Sequence, residues 1–181
     1  MRLDEQFGQT KGRVVMTGRR RRTSLEHTAD YTLQVAIELE RRGRTFYESL
    51  SLGCGNSEIA ALATSLAKDE EQHIAIFRRM RDALPKELRG SRLTEEELSA
   101  ATEELRDNIM PNARTVRDAV LTSDLCNVLD MAIEMETRAV AFYSRLASGS
   151  TYLDATVLRG LANEEMEHLK KLREVRKRLS A

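Results

Sequence analysis

The sequence predicts an all-α protein: an antiparallel four-helix bundle of two helical hairpins, joined by a long crossover that contains a short helix. Three observations predict it. Gly (9) and Pro (2) are scarce among 181 residues while Ala, Leu, Glu and Arg recur, which suits long amphipathic helices and leaves little punctuation for a sheet. Four stretches carry apolar residues at spacings of three and four. The third and fourth stretches copy the first and second almost position by position.

Residues 1–27 read as a basic, flexible N-terminal arm. Gly8, Gly12 and Gly18 interrupt it, and Arg19-Arg20-Arg21-Arg22 offers a weak signal for contact with nucleic acid or a membrane. The bundle is expected over 28–181. Helix 1 opens near Thr28 or Asp30, either of which can cap, and runs to about Leu52 with Leu33, Ala36, Ile37, Glu40, Gly43, Tyr47 and Leu50 on one stripe. Gly53-Cys54-Gly55-Asn56 is a turn, after which Ser57 can cap helix 2. Helix 2 carries Ile59, Leu62, Leu66, Glu70, His73, Phe77, Met80 and Leu84 inward, and Pro85 closes it. The crossover spans about 86–120. Within it Thr94 and Glu97 form a capping box for a short helix from about Glu95 to Asn108, which Pro111 and Asn112 end.

Helix 3 opens near Ser123 or Asp124 and presents Leu129, Ala132, Ile133, Glu136, Ala139, Tyr143 and Leu146. Ser148-Gly149-Ser150 is a tight turn. Helix 4 runs from about Leu153 to Leu179 with Val157, Leu158, Leu161, Glu165, His168, Leu172 and Val175 inward. The short loops make each half a hairpin, and the repetition predicts an approximate two-fold between the halves.

Composition narrows the function. Lys+Arg and Asp+Glu both number 29, so net charge favours neither an acidic nor a basic partner. No run of about 18 apolar residues reads as a membrane span. The basic N-terminus lacks the apolar segment of a secretory signal. Cys54 and Cys126 stand alone without a Cys-x-x-Cys pair, which suits a reducing cytoplasm and speaks against a rubredoxin-type iron site or zinc ribbon.

The repeat carries the chemistry. Ala36-Ile37-Glu38-Leu39-Glu40 leads to Phe46-Tyr47 and then to Glu70-Glu71-Gln72-His73. Ala132-Ile133-Glu134-Met135-Glu136 leads to Phe142-Tyr143 and then to Glu165-Met166-Glu167-His168. Glu40 and Glu136 are 96 residues apart, and His73 and His168 are 95 apart. Glu40 and Glu136 sit inside apolar stripes. Glu38 and Glu134 lie about 200° around the helix from them and face solvent, at roughly 100° per residue. In each Glu-x-x-His the two side chains are i and i+3, hence neighbours on one face, whereas Glu71, Glu164 and Glu167 fall off it. The stripes thus send Glu40, Glu70, His73, Glu136, Glu165 and His168 to one point. Four buried carboxylates without an inward Lys or Arg would be costly, and two divalent cations would neutralise them. Two Glu helices and two Glu-x-x-His helices are the donor set of a di-metal carboxylate site in a bundle. Mixed carboxylate and imidazole donors suit two iron ions, with manganese or zinc as alternatives. His27 lies outside the pattern.

These strings resemble the rubrerythrin-like branch of the ferritin-like superfamily, over about 28–180. The resemblance rests on Ala-Ile-Glu-x-Glu…Phe-Tyr and on Leu-Ala-x-x-Glu-x-x-His, the latter at Leu66–His73 and Leu161–His168. It implies a left-handed, ferritin-like bundle with a non-haem di-iron centre that reduces hydrogen peroxide, oxidises ferrous iron, or does both. Rubrerythrins proper also carry a C-terminal rubredoxin domain. Here the sequence ends at Ala181, after helix 4, so the expected reductant is an external electron-donor protein. They also tend to have a further Glu ligand one turn after the helix 3 Glu. That position is Ala139 here, and its counterpart is Gly43, which leaves six ligands and a nearly symmetric site.

The expected function is therefore a di-iron peroxidase or ferroxidase acting on hydrogen peroxide or dioxygen, in a homodimer or higher homo-oligomer. The alternative is a non-catalytic, metal-stabilised bundle for iron binding or transfer, or for protein interaction. Glu70 and Glu165 are expected to bridge the metals, or to share that role with Glu40 and Glu136. Tyr47 and Tyr143, one heptad from Glu40 and Glu136, are placed either to hydrogen-bond the ligands or simply to pack.

Overall fold

The structure, a computed structural model, describes residues 29–106 and 124–179. The N-terminal arm with Arg19–Arg22, His27, and the crossover around Pro111 lie outside the described residues. Among the described residues five α-helices follow in order: α1 (Ala29–Gly53), α2 (Ser57–Ala83), α3 (Glu95–Arg106), α4 (Leu125–Gly149) and α5 (Ala155–Leu179). A 3-10 turn, Lys86–Leu88, follows α2, and no strand occurs among the described residues. This is a ferritin-like helical bundle, with α3 as the short helix of the crossover. Among the described residues no helix is long and apolar enough to cross a membrane.

Most boundaries fall where expected, but the caps differ. Helix α2 is capped by Asn56 rather than Ser57. The Asn56 Oδ1 accepts from the amides of Glu58 and Ile59, at 3.0 and 3.1 Å. Asp124 caps α4 by accepting from Asn127 N. Helix α5 starts at Ala155, two residues beyond Leu153, because Asp154 accepts from the amides of Thr156 and Val157. Thr94 and Glu97 form the expected reciprocal capping box on α3. Asp30 is not a cap. It is buried in the first turn of α1, where Arg81 Nε donates to it at 2.6 Å. Gln34 Nε2 and Gly90 N also donate to Asp30, and Leu93 N donates to Gln34 Oε1. These bonds fasten the beginning of the crossover to α1 and α2.

Two apolar clusters show how the helices run. One joins Leu33 and Ala36 of α1, Ile74 and Phe77 of α2, Phe142 of α4, and Leu158 and Leu161 of α5. The other joins Phe46 and Leu50 of α1, Ile59 and Leu66 of α2, Leu129 and Ala132 of α4, and Leu172 and Val175 of α5. Thus α1 and α5 run one way, and α2 and α4 run the other. The end of α2 and the start of α4 lie at opposite ends of the bundle. Each long helix of 25 residues spans about 37 Å. Between the two apolar ends lies a buried polar layer: Glu40, Glu70, His73, Glu136, Glu165 and His168.

Candidate metal centre

Each helix of the bundle delivers its part of this layer at the expected register. α1 supplies Glu40, α2 supplies Glu70 and His73, α4 supplies Glu136, and α5 supplies Glu165 and His168. None is more than 4% exposed, which decides that they serve the interior rather than a solvated face. The stripes sort the neighbouring acids as read. Glu71, Glu134, Glu164 and Glu167 are exposed, and Glu38 is half-buried where it pairs with Arg42.

The donor atoms form two overlapping groups. Glu40, Glu70, His73 and Glu165 each offer one atom within 4.8 Å of the others, and so do Glu70, Glu136, Glu165 and His168. Glu70 and Glu165 belong to both. Nδ1 of His73 lies 3.0 Å from Glu165 Oε1 and 3.3 Å from Glu40 Oε2. His168 Nδ1 lies 3.0 Å from Glu165 Oε2, and the two imidazoles stack at 5.9 Å. Glu40 Oε2, His73 Nδ1 and Glu165 Oε1 are buried without a hydrogen-bond partner despite this proximity. Three donor atoms this close together and this deeply buried, none of them in a well-formed hydrogen bond, fit the needs of a cation.

A set of polar contacts between the halves surrounds this cluster. Tyr47 donates to Glu136 Oε1, and Tyr143 donates to Glu40 Oε1. Both tyrosines also pack in the apolar clusters, and each hydroxyl bonds the Glu of the opposite half. The outer imidazole nitrogens are paired as well. His73 Nε2 meets Glu164 at 3.0 Å, and His168 Nε2 meets Asp69 at 3.2 Å. Such partners fix the imidazole tautomer and leave Nδ1 as the lone-pair donor. Sequence reasoning passed over Asp69 and placed Glu164 off the working face. The available signal was an acid directly before each Glu-x-x-His, in Asp69-Glu70 and Glu164-Glu165.

Electrostatics report an excess of negative charge. Burial, then the adjacent Glu40, pushes the Glu70 carboxyl well above the usual range. Burial, then Glu165, does the same for Glu136. Burial and the Glu136 carboxylate push Tyr47 up, so its O–H stays protonated and keeps donating. Burial opposes the charged form of His73, but Glu165 and Glu40 outweigh it and raise the imidazole to about 11. Burial alone would raise Glu165; His168 and His73 instead hold it well below the usual carboxylate range. Without cations, the layer holds itself together by keeping protons.

One turn beyond Glu40 and Glu136 stand Gly43 and Ala139, and there the site has no further carboxylate. A cavity of about 20 Å³, lined by Leu39, Met135, Phe142 and these two small residues, borders Glu40, Glu70, Glu136 and Glu165. It has room for about one water-sized molecule.

The rubrerythrin family profile matches residues 32–176, which includes all six donors. The chain belongs to the rubrerythrin family. A solved structure from Thermotoga maritima, of a candidate ferritin-like diiron-carboxylate protein, is 29% identical. It aligns with a TM-score of 0.62 over 83% of this chain and 95% of that one. No curated protein matches. Rubrerythrin membership and the carboxylate-histidine cluster together fit a di-iron protein.

Proposed function

We propose that this rubrerythrin-family chain is a non-haem di-iron oxidoreductase that uses hydrogen peroxide or dioxygen as oxidant. The carrying observation is the pair of donor groups sharing Glu70 and Glu165 beside a one-water cavity. Glu40 and His73 would hold one ion, Glu136 and His168 the other, with Glu70 and Glu165 common to both. The three orphaned buried atoms are donors in need of such ions. When bound, two ferrous ions supply one electron each, the two electrons needed to take hydrogen peroxide to water.

The chain's own residues do the rest. Tyr47 and Tyr143 orient the terminal carboxylates of Glu136 and Glu40. Asp69 and Glu164 hold the imidazoles with Nδ1 inward. Leu39, Met135 and Phe142 keep bulk water from the cavity. We further propose that electrons are restored by an external donor.

Metal analysis and optical spectra of the purified protein test this reading. The ferrous-loaded protein should hold two irons per chain and oxidise on adding peroxide. Glu136→Ala should lose that oxidation and iron with its helical fold intact. Unchanged iron content in Glu136→Ala would refute the site. Uptake of two irons with no response to either oxidant would leave a metal-stabilised bundle instead.

A further inference from the structure

The small cavity beside the donors lies where the two halves of the repeat meet. Both members of the pairs Leu39/Met135, Gly43/Ala139 and Glu70/Glu165 line it. At about 20 Å³ it admits about one water-sized molecule. Among the described residues around it, Met135 alone carries sulfur, and its counterpart Leu39 is an inert hydrocarbon. Met135 is only 3% exposed, whereas Met166 on α5 is 47% exposed. An oxidant in bulk solvent therefore meets Met166 first, and an oxidant held in the cavity meets Met135.

Resting on the di-iron reading above, we propose that Met135 is a self-oxidation site: hydrogen peroxide admitted to the cavity converts its thioether to the sulfoxide, and the sulfoxide closes the cavity. One oxygen passes from peroxide to sulfur. The O–O bond breaks, the S–O bond forms, and the proton of the transferred oxygen joins the departing hydroxide as water. Sulfur loses two electrons and the peroxide gains them, so no other reductant enters. Confinement favours the step, because with iron bound the oxidant is drawn to a space that holds one molecule and Met135 is part of its wall. The product is polar and carries one more oxygen atom. That oxygen takes the place of the one small molecule the cavity admits. The Leu39 side of the cavity has no such chemistry, so the device belongs to one half of the repeat. Reduction of the sulfoxide restores the thioether and reopens the cavity.

Peptide mass spectrometry of the full chain tests this. Ferrous-loaded and metal-free protein receive the same successive additions of hydrogen peroxide, with Met166 as the internal reference for bulk oxidation. The ratio of Met135 to Met166 oxidation should be about tenfold or more higher with iron bound, a small part of what confinement can supply. The optical response to peroxide should fade in step with the oxygen gained at Met135. These measurements need no variant. Met135→Leu, a swap close in volume that copies Leu39, should keep a larger share of its own first response through the later additions. The proposal is overturned by loaded protein that reacts with peroxide while Met135 stays unoxidised. It is equally overturned by a ratio that iron does not change, or by a response that persists after Met135 is oxidised. A chain that fails to load two irons, or loads them and does not react with peroxide, overturns the underlying di-iron reading instead, so the two failures are distinct.

Discussion

At the scale of single residues, the position of each donor is explained by helix periodicity and its orientation by a partner from the other half. The tyrosines show the difference. A heptad relation places Tyr47 on the same stripe as Glu40, yet its hydroxyl reaches Glu136, because α1 faces α4 across the buried layer. Removing one of these hydroxyls should therefore loosen the carboxylate of the opposite half. Tyr143→Phe is expected to weaken metal retention about 10- to 100-fold, the usual cost of removing a group that orients a ligand. Competition with a chelator measures it, and the loss should fall on one of the two metal ions of the proposed site. Equal loss of both would show that the tyrosine serves general packing.

At the scale of elements, boundaries were legible to within a few residues and caps were not always. Pro85, the Thr94/Glu97 box and Asp124 act as read. Asn56 and Ser57 are both good caps, and only backbone conformation decides between them. Asn56 takes the extended conformation that a cap needs, and Ser57 is already helical. Asn56→Ala should cost about 1 kcal/mol, roughly 2–4 °C in Tm, whereas Ser57→Ala should cost little. Thermal unfolding of the two variants checks this. Asp30 was misread for a related reason. Its type suits a cap, but the guanidinium of Arg81, 51 residues away, claims its carboxylate, and no local pattern announces that pairing. The six donors were legible because a buried acid inside an apolar stripe is conspicuous. Asp69 and Glu164 were not, because their partners lie on the other hairpin.

At the scale of the whole molecule, the polar layer ties stability to pH and to metal. Glu70 and Glu136 have folded-state values raised above 4.5, so each stabilises the metal-free fold fully below that pH and progressively less as pH rises. His73, raised from 6.5 to about 11, has the same sign: its contribution is complete below 6.5 and is lost as pH climbs through 11. The depressed Glu165 acts oppositely, and its contribution is lost only as pH falls below 4.5 toward its folded value. The metal-free protein should thus lose stability as pH rises above about 4.5. Metal must displace the retained protons, so loading should tighten over the same range and release protons. Calorimetry across pH, together with an indicator dye during ferrous titration under anaerobic conditions, would show both. A metal-free protein that gains stability with pH, or loading without proton release, would contradict this charge assignment.

The hydrogen bonds between the halves have a consequence for how the site is divided along the chain. Tyr47 serves Glu136 and Tyr143 serves Glu40; His73 leans on Glu164 and His168 on Asp69. Residue i of one hairpin meets j of the other, and j of the first meets i of the second, which is the reciprocity of an isologous dimer. The chain thus resembles two subunits fused end to end, with the buried polar layer at their interface. Neither hairpin holds a whole donor group by itself. Fusion frees the two copies to diverge in sequence while their exchange of contacts holds them in register.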